Sequence, residues 1–234
     1  MHPSVLVFQV RYIGVVLLLG CLFGVLAGCG TVPRGGGVGS LPRSPAQETT
    51  KTLSAFFEVS GTEYLQASVA TNETRAALNS RTTYTTIHNY VFVDQENETV
   101  LRLLPTNDTV ILTTIELFEQ VPAEMQPTST DAENTIEPTT AWFLYSIVKA
   151  DTNGDEQLAF EDKQTLAVSD AGGNGYTELV EDVDELVYYT LRPDNETALL
   201  IYRQGDQRVL ARVNLPDRTI DNTVEFPPLG DDVE

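Results

Sequence analysis

From about residue 53 onward, short apolar runs alternate with turn residues, and this pattern predicts a chain of antiparallel strands. The runs NYVFVD (89–94) and TVLRLLP (99–105) flank the polar tetrapeptide QENE, which is the spacing of a β-hairpin. The apolar run AWFLYSIVKA (141–150) is too short and too rich in β-branched residues to favour a helix. The pattern allows one helix, within residues 62–80. Further strands are predicted at 109–121, 164–170, 184–192, 197–204 and 208–215, with a mobile Pro-containing loop at 122–140.

Three segments share one plan, in which a strand ends at a polar turn and a second strand returns: YVFVD-QENET-VLRLL, LAVSD-AGGNGY-TELV and ARVNL-PDRT-IDNTV. Val168 and Val213 are 45 residues apart, close to one propeller blade, whereas Val93 and Val168 are 75 apart. The arrangement resembles TolB-like β-propeller repeats, in which the last two strands of a blade form such a hairpin. The resemblance implies a mostly β fold of antiparallel sheets with about three propeller-like blades in an incomplete ring. An open β-sandwich is the alternative.

The N-terminus has the organisation of an export signal. A single basic residue, Arg11, precedes an apolar run (12–26) that ends in the tetrapeptide LAGC at 26–29. This tetrapeptide resembles the lipobox of bacterial lipoproteins at all four positions. The resemblance implies cleavage after Gly28 and lipidation of Cys29, so that acyl chains attach the protein to a membrane. The alternative is an uncleaved helix, because residues 12–30 carry no charge and are long enough to span a bilayer.

This reading divides the chain into a signal peptide (1–28), a lipidated cysteine with a flexible Gly/Pro/Ser tether (29–52) and one β-rich domain (53–234). Gly30 follows the lipidated cysteine, where aspartate would suggest retention at the inner membrane. We therefore expect a location in the bacterial cell envelope, on the outer membrane and facing the periplasm.

Composition limits the partners. The chain has 34 acidic and 14 basic residues, with a net charge of −20, and this surplus would repel the phosphates of nucleic acids. The two cysteines are Cys21, inside the predicted signal, and Cys29. We expect no disulfide in the exported protein, so its stability must come from its core.

The acidic segment DTNGDEQLAFED (151–162) is the strongest candidate site, because oxygen-bearing side chains alternate along it as calcium requires. It resembles an EF-hand calcium loop. The resemblance implies a structural Ca2+ site of low affinity, with ligands at Asp151, Asn153, Asp155, Gln157 (through its backbone carbonyl) and Asp162.

The loop departs from the EF-hand pattern at two positions. Glu156 stands where the pattern has glycine, and the twelfth residue is Asp162 rather than glutamate. Both changes weaken affinity and open the site to magnesium. The flanking residues predict strands rather than helices, so the metal would act as a structural clip. The alternative is a solvated acidic turn.

Catalytic motifs are sparse. After the predicted signal the only histidine is His88, in a strand-like segment without a nucleophile-elbow motif. We therefore predict a non-catalytic binding or scaffold module whose partner is an envelope protein or glycan. Two rivals remain open: a hydrolase that uses carboxylates on envelope glycans, and a calcium sensor.

Overall fold

The computed structural model describes residues 50–77, 80–120 and 138–227. Within these ranges all regular secondary structure is β, and every strand pairing is antiparallel. The strands are β1 (Thr52–Leu53), β2 (Phe57–Glu58), β3 (Tyr64–Ala77), β4 (Ser80–Asp94), β5 (Thr99–Arg102), β6 (Val110–Phe118), β7 (Thr140–Val148), β8 (Gln164–Asp170), β9 (Thr177–Val183), β10 (Glu185–Leu191), β11 (Thr197–Gln204), β12 (Gln207–Asn214) and β13 (Thr219–Glu225). The predicted mostly β, antiparallel fold is confirmed.

The helix allowed at 62–80 is wrong, because residues 64–77 of this segment form the long strand β3, which pairs along its length with β4. Ala67 and Ala70 are both buried and three residues apart, a spacing that imitates one face of a helix. In a strand, however, residues three apart lie on opposite faces. Pairing with the long strand β4, which is rich in β-branched residues, makes this segment a strand. The sequence of β3 alone does not decide between the helical and the strand period.

The strands form three consecutive antiparallel meanders, which we call the first (β1–β5), central (β6–β9) and third (β10–β13) meander. In the first meander both short strands, β1 and β2, pair with β3. The first and central meanders share one sheet, but a single pair, Ile87 with Ile111, joins them. The third meander is a separate four-stranded sheet. The three predicted hairpins are confirmed, since each forms the last two strands of one meander.

The central meander is buried on both faces. Along β7, Phe143 and Tyr145 pack into a core shared with Phe92 of the first meander. Leu144, between them, packs into a second core with Leu200 of the third meander. Because successive side chains of a strand point to opposite faces, the central meander separates two cores. This explains why AWFLYSIV is a continuous apolar run rather than an alternating one.

One row of paired residues crosses the first and central meanders. It runs through Thr52, Ala70, Ile87, Ile111, Ile147 and Thr165. Beyond this row β3 and β4 continue as a two-stranded ribbon (71–77 and 80–86), whose described side chains from 81 to 85 are exposed. The β7–β8 loop leaves the row on the opposite side from the ribbon, because β3, β4, β6 and β7 alternate in direction.

Candidate metal-binding loop

Residues 149–163 connect β7 to β8, the two strands of the central meander that are most fully buried. The loop is therefore held at both ends by strands that cannot move without disturbing a core. Its acidic segment is exposed from Asp151 to Gln157. The predicted strand flanks are confirmed, and they differ from the helices that border an EF-hand loop.

Three predicted ligands fold the first half of the loop by accepting hydrogen bonds from backbone N–H groups. The Asp151 carboxylate accepts from Gly154 N at 2.6 Å and from Glu156 N at 2.8 Å. Asn153 Oδ1 accepts from Asp155 N at 2.8 Å, and Asp155 Oδ1 accepts from Gln157 N at 2.9 Å. These nested turns place oxygen-bearing side chains at every second residue, as a wrapped cation requires.

The sixth loop position has the backbone conformation that normally selects glycine. Glu156 has φ of +65°, and Gly154, two residues earlier, has φ of +82°. A non-glycine residue in the left-handed region is strained, so the loop keeps its turn at the expense of stability. The eighth residue, Leu158, is partly buried, as the apolar plug of such a loop would be, whereas Phe160 is 66% exposed.

Asp162, the predicted ligand at the twelfth loop position, instead accepts hydrogen bonds from other residues of its own loop. Its side chain is buried, and its Oδ1 accepts from Thr152 N at 2.6 Å, Thr152 Oγ1 at 3.1 Å and Asn153 N at 3.2 Å. Its Oδ2 accepts from Ala159 N at 2.9 Å. The hydrogen bonds from the Ala159 and Thr152 backbone lower the pKa of Asp162, because they stabilise the charged carboxylate.

The fit of a cation to the predicted ligands is therefore partial. Asp151, Asn153 and Asp155 have the required alternation, and Gln157 follows them, but Asp162 is already engaged by four donors. Within the described ranges, no three His, Cys, Asp or Glu side chains come together in an arrangement that could hold a metal ion. A bound cation would be held by the first half of the loop, or Asp162 would have to exchange its partners.

The two lysines that border the loop do not neutralise it. Lys149 Nζ donates to Glu178 at 2.8 Å and to Glu181 at 2.7 Å, while Lys163 forms an ion pair with Asp184. Glu178 and Glu181 lie on β9, so these contacts tie the loop ends to the neighbouring strand. The sequence gives no sign of these pairings, because the partners are distant along the chain. The five acids of 151–162 therefore keep their mutual repulsion.

His88 has a structural role. It is the extra residue at a bulge in the β3–β4 ladder, where Val69 pairs with Asn89 and Ala70 with Ile87. Its Nδ1 lies 2.8 Å from the Thr109 carbonyl oxygen, so Nδ1–H donates and Nε2 accepts from Thr71 Oγ1 at 3.0 Å. Burial lowers the pKa of His88, which favours this neutral form.

Asn89, beside His88, is a fully buried polar residue that the sequence reasoning missed. Its Nδ2 lies 2.8 Å from the carbonyl oxygen of Leu104, 2.9 Å from that of Thr106 and 2.9 Å from Asn107 Oδ1, so its two hydrogens are shared among three acceptors. Its Oδ1 accepts from Tyr90 N and Leu104 N. Asn89 thus fixes the β5–β6 connection, as expected for a buried amide with all its groups paired.

The predicted lipidation residue Cys29 lies outside the described residues, as do the signal, most of the tether and most of the loop predicted at 122–140. Within the described part of the chain, no helix is long and apolar enough to cross a membrane. Residues 12–30 lie outside the described ranges, so this statement does not cover them.

Comparison with known proteins gives little. No family model matches the chain, and no curated protein matches it. Among solved structures, it is similar to the β-propeller domain of the Trilobed protease from Pyrococcus furiosus, described as having an open velcro topology. The TM-score is 0.36 at 9% identity, over 76% of this chain and 44% of that one. We draw nothing from a likeness of this size.

Proposed function

We propose that the protein is a lipid-anchored component of the bacterial envelope, with a structural calcium loop at 151–162. In this proposal it acts as a non-catalytic binding or scaffold module on the periplasmic side of the outer membrane. Acyl chains on Cys29 hold it there, and its partner is an envelope protein or glycan.

The observation that supports the calcium loop is the fold of its first half. Asp151, Asn153 and Asp155 each accept a hydrogen bond from a backbone N–H of the loop, and oxygen-bearing side chains stand at every second residue. Lys149 and Lys163 pair with acids outside the loop, so the acids of the loop keep their mutual repulsion. The tetrapeptide LAGC at 26–29 supports the anchor.

A divalent ion in the loop would act on stability rather than on chemistry. The cation would cancel part of the repulsion among five acids and would fix a long connection between two core strands.

Among the residues that the structure describes, every carboxylate with a clearly shifted pKa has a lowered one: Asp94, Asp162, Glu181, Asp184 and Asp194. Hydrogen bonds from backbone or side-chain donors come first among the causes. These groups are charged acceptors and not acids poised to donate a proton.

Calorimetric titration of the purified protein with calcium tests the loop. We expect binding with a dissociation constant on the order of 10⁻⁴–10⁻³ M. The double variant Asp151→Ala, Asp155→Ala should lose it, while the control Asp206→Ala, Asp217→Ala, which removes two exposed turn acids elsewhere, should keep it. No uptake by the wild-type protein at millimolar calcium would end the metal proposal.

A separate experiment tests the anchor. Cys29→Ala should abolish the mass increase from acylation and release the protein from the membrane fraction. Cys21→Ala should change neither, because that residue lies in the predicted signal. Unchanged attachment of the Cys29 variant would contradict lipidation. Hydrolysis of envelope glycans that is lost on substitution of one acid outside 151–162 would favour the enzyme alternative.

A further inference from the structure

Four asparagines of the chain begin an Asn-X-Thr triplet, at positions 72, 97, 107 and 195. Three of these triplets have the same sequence, Asn-Glu-Thr. Asn-X-Thr is the acceptor sequence for N-linked glycans on exported proteins, where the bulky sugar has to lie at the surface. The triplet alone does not distinguish a glycan acceptor from a structural asparagine, so the surroundings of each asparagine decide.

The first triplet lies in the two-stranded ribbon of β3 and β4, and both Asn72 and Thr74 are exposed. These residues are two apart in a strand, so the amide and the hydroxyl lie on the same face of the ribbon. Asn72 Oδ1 accepts from Thr85 Oγ1 at 2.8 Å, and this contact does not use the amide nitrogen Nδ2. Because Asn72 is inside a strand, turn chemistry does not account for it.

The second triplet is at the tip of the β4–β5 hairpin, where Asn97 and Thr99 are both exposed. Asn97 Nδ2 donates to Asp94 Oδ2 at 2.9 Å. The other oxygen of Asp94, Oδ1, accepts from Asn97 N at 2.9 Å and from Glu96 N at 3.0 Å. These two backbone hydrogen bonds hold the turn without the Asn97 side chain, so its exposed amide nitrogen is available to a transferase.

The third triplet is held inside the fold. Asn107 is half-buried, and its Oδ1 accepts from Asn89 Nδ2 at 2.9 Å and from Arg102 Nη2 at 2.8 Å. The hydroxyl of Thr109, the third residue of this triplet, donates to the carbonyl oxygen of His88 at 3.3 Å. Turning Asn107 out to a transferase would break its contact with the buried amide of Asn89, so this asparagine is structural.

The fourth triplet joins two segments that are distant in sequence. Asn195 is half-buried, and its side chain pairs with the backbone of Gln120: Oδ1 accepts from Gln120 N at 2.6 Å, and Nδ2 lies 3.4 Å from the Gln120 carbonyl oxygen. Thr197, the third residue of this triplet, is also half-buried. A sugar on Nδ2 would separate Asn195 from Gln120, so this asparagine is structural as well.

We infer that Asn72 and Asn97 carry N-linked glycans and that Asn107 and Asn195 do not. In the transfer, the asparagine Nδ2 attacks C1 of a sugar that is carried on a lipid pyrophosphate. The Nδ2–C1 bond forms, the bond from C1 to the phosphate oxygen breaks, the lipid pyrophosphate leaves, and the amide loses one proton to a base of the transferase. The inference rests on export of the chain, which is part of the proposed function, and not on the acyl chains or on calcium.

Mass spectrometry of the full chain, isolated from the membranes of the cells that make it naturally, tests the inference. Trypsin cuts after lysine and arginine except before proline, so the four triplets fall on four separate peptides: 52–75, 82–102, 103–149 and 164–203. We expect the added mass of sugar residues on the first two peptides and the unmodified mass on the last two. Absence of sugar from Asn72 or Asn97, or sugar on Asn107 or Asn195, would overturn the inference.

Matched substitutions at the third position of each exposed triplet separate N-linked sugar from sugar on the hydroxyl groups of the ribbon. Thr99→Ala should remove the added mass from peptide 82–102, whereas Thr99→Ser, which keeps the hydroxyl, should retain it. Thr74→Ala and Thr74→Ser should behave in the same way on peptide 52–75. Both threonines are exposed, so the variants should fold. Added mass that persists in both alanine variants would be attached elsewhere and would refute the inference.

The same digest separates this inference from the proposed anchor, because the peptide that begins at Cys29 reports acylation. An acylated Cys29 together with unmodified Asn72 and Asn97 would end the glycan inference alone. Sugar on both asparagines together with an unmodified Cys29 would end the lipid anchor alone. A chain that keeps residues 1–28 and carries no sugar would contradict both.

Discussion

Two adjacent core residues give the sharpest test of the stacked meanders. Phe143 is 1% exposed and Leu144 is 0% exposed, and the two side chains lie in separate cores on opposite faces of β7. In a sheet with one solvated face, only one of two neighbours is costly to truncate. Here both should be costly, because the first meander covers one face and the third meander covers the other.

The expected magnitude follows from the cavity that each truncation leaves. Phe143→Ala should lower the free energy of unfolding by about 3–5 kcal/mol, and Leu144→Ala by about 2–5 kcal/mol. For a domain of this size each kcal/mol lowers Tm by about 2–4 °C, so Phe143→Ala should lose roughly 6 °C or more and Leu144→Ala roughly 4 °C or more. Phe160→Ala, at an exposed position of the β7–β8 loop, is the control and should change stability by less than about 0.5 kcal/mol.

Urea denaturation followed by circular dichroism measures these differences, provided that the transition is two-state. A loss below about 1 kcal/mol for either core variant would mean that one face of β7 is not packed, because a truncated buried side chain of this size costs more than that. The stack of three meanders would then be refuted.

Three further results are expected. Asp162 has a lowered pKa in the folded state, so its stabilisation should be present above about pH 4, the unfolded value, and be lost as the pH falls through the folded value. The Tm gap between wild type and Asp162→Asn should therefore be wide at pH 7 and should narrow as the pH is lowered below 4, and a gap that does not change with pH would contradict this role of the carboxylate. Asn89→Ala leaves several buried polar groups without a partner and should cost about 3 kcal/mol in urea denaturation, and a cost near zero would contradict the buried network. Replacing residues 73–84 of the exposed ribbon by an Asn-Gly turn should leave the near-UV circular dichroism spectrum unchanged. Tm should shift by only a few degrees, about the effect of 1 kcal/mol. Loss of folding would show that the ribbon supports the core.

The local pattern of apolar and turn residues in the sequence was enough to predict most strands. The hairpin turn at 95–98, the apolar run of β7 and the strands on both sides of the acidic loop were all readable, because turn residues and β-branched runs act over a few positions. The alternation of oxygen-bearing side chains at Asp151, Asn153 and Asp155 was equally readable from the sequence. The backbone N–H groups that donate hydrogen bonds to these side chains lie within five residues of them.

Other features depend on residues that are far apart in sequence. The identity of β3 as a strand needed its pairing with β4, because the spacing of the buried residues Ala67 and Ala70 imitates one face of a helix. The role of Asp162 needed the loop to close. The pairings of Lys149 with Glu178 and Glu181, and of Lys163 with Asp184, needed residues 21 to 32 positions apart to become neighbours.

The sequence by itself determined where strands and turns occur and which residues could offer oxygen atoms to a cation. The tertiary structure decided that the meanders stack, which faces of the first and third remain open, and that Asp162 binds its own loop. The physical reason is that hydrogen-bond partners and buried faces are set by long-range packing, whereas periodicity and turn chemistry are local.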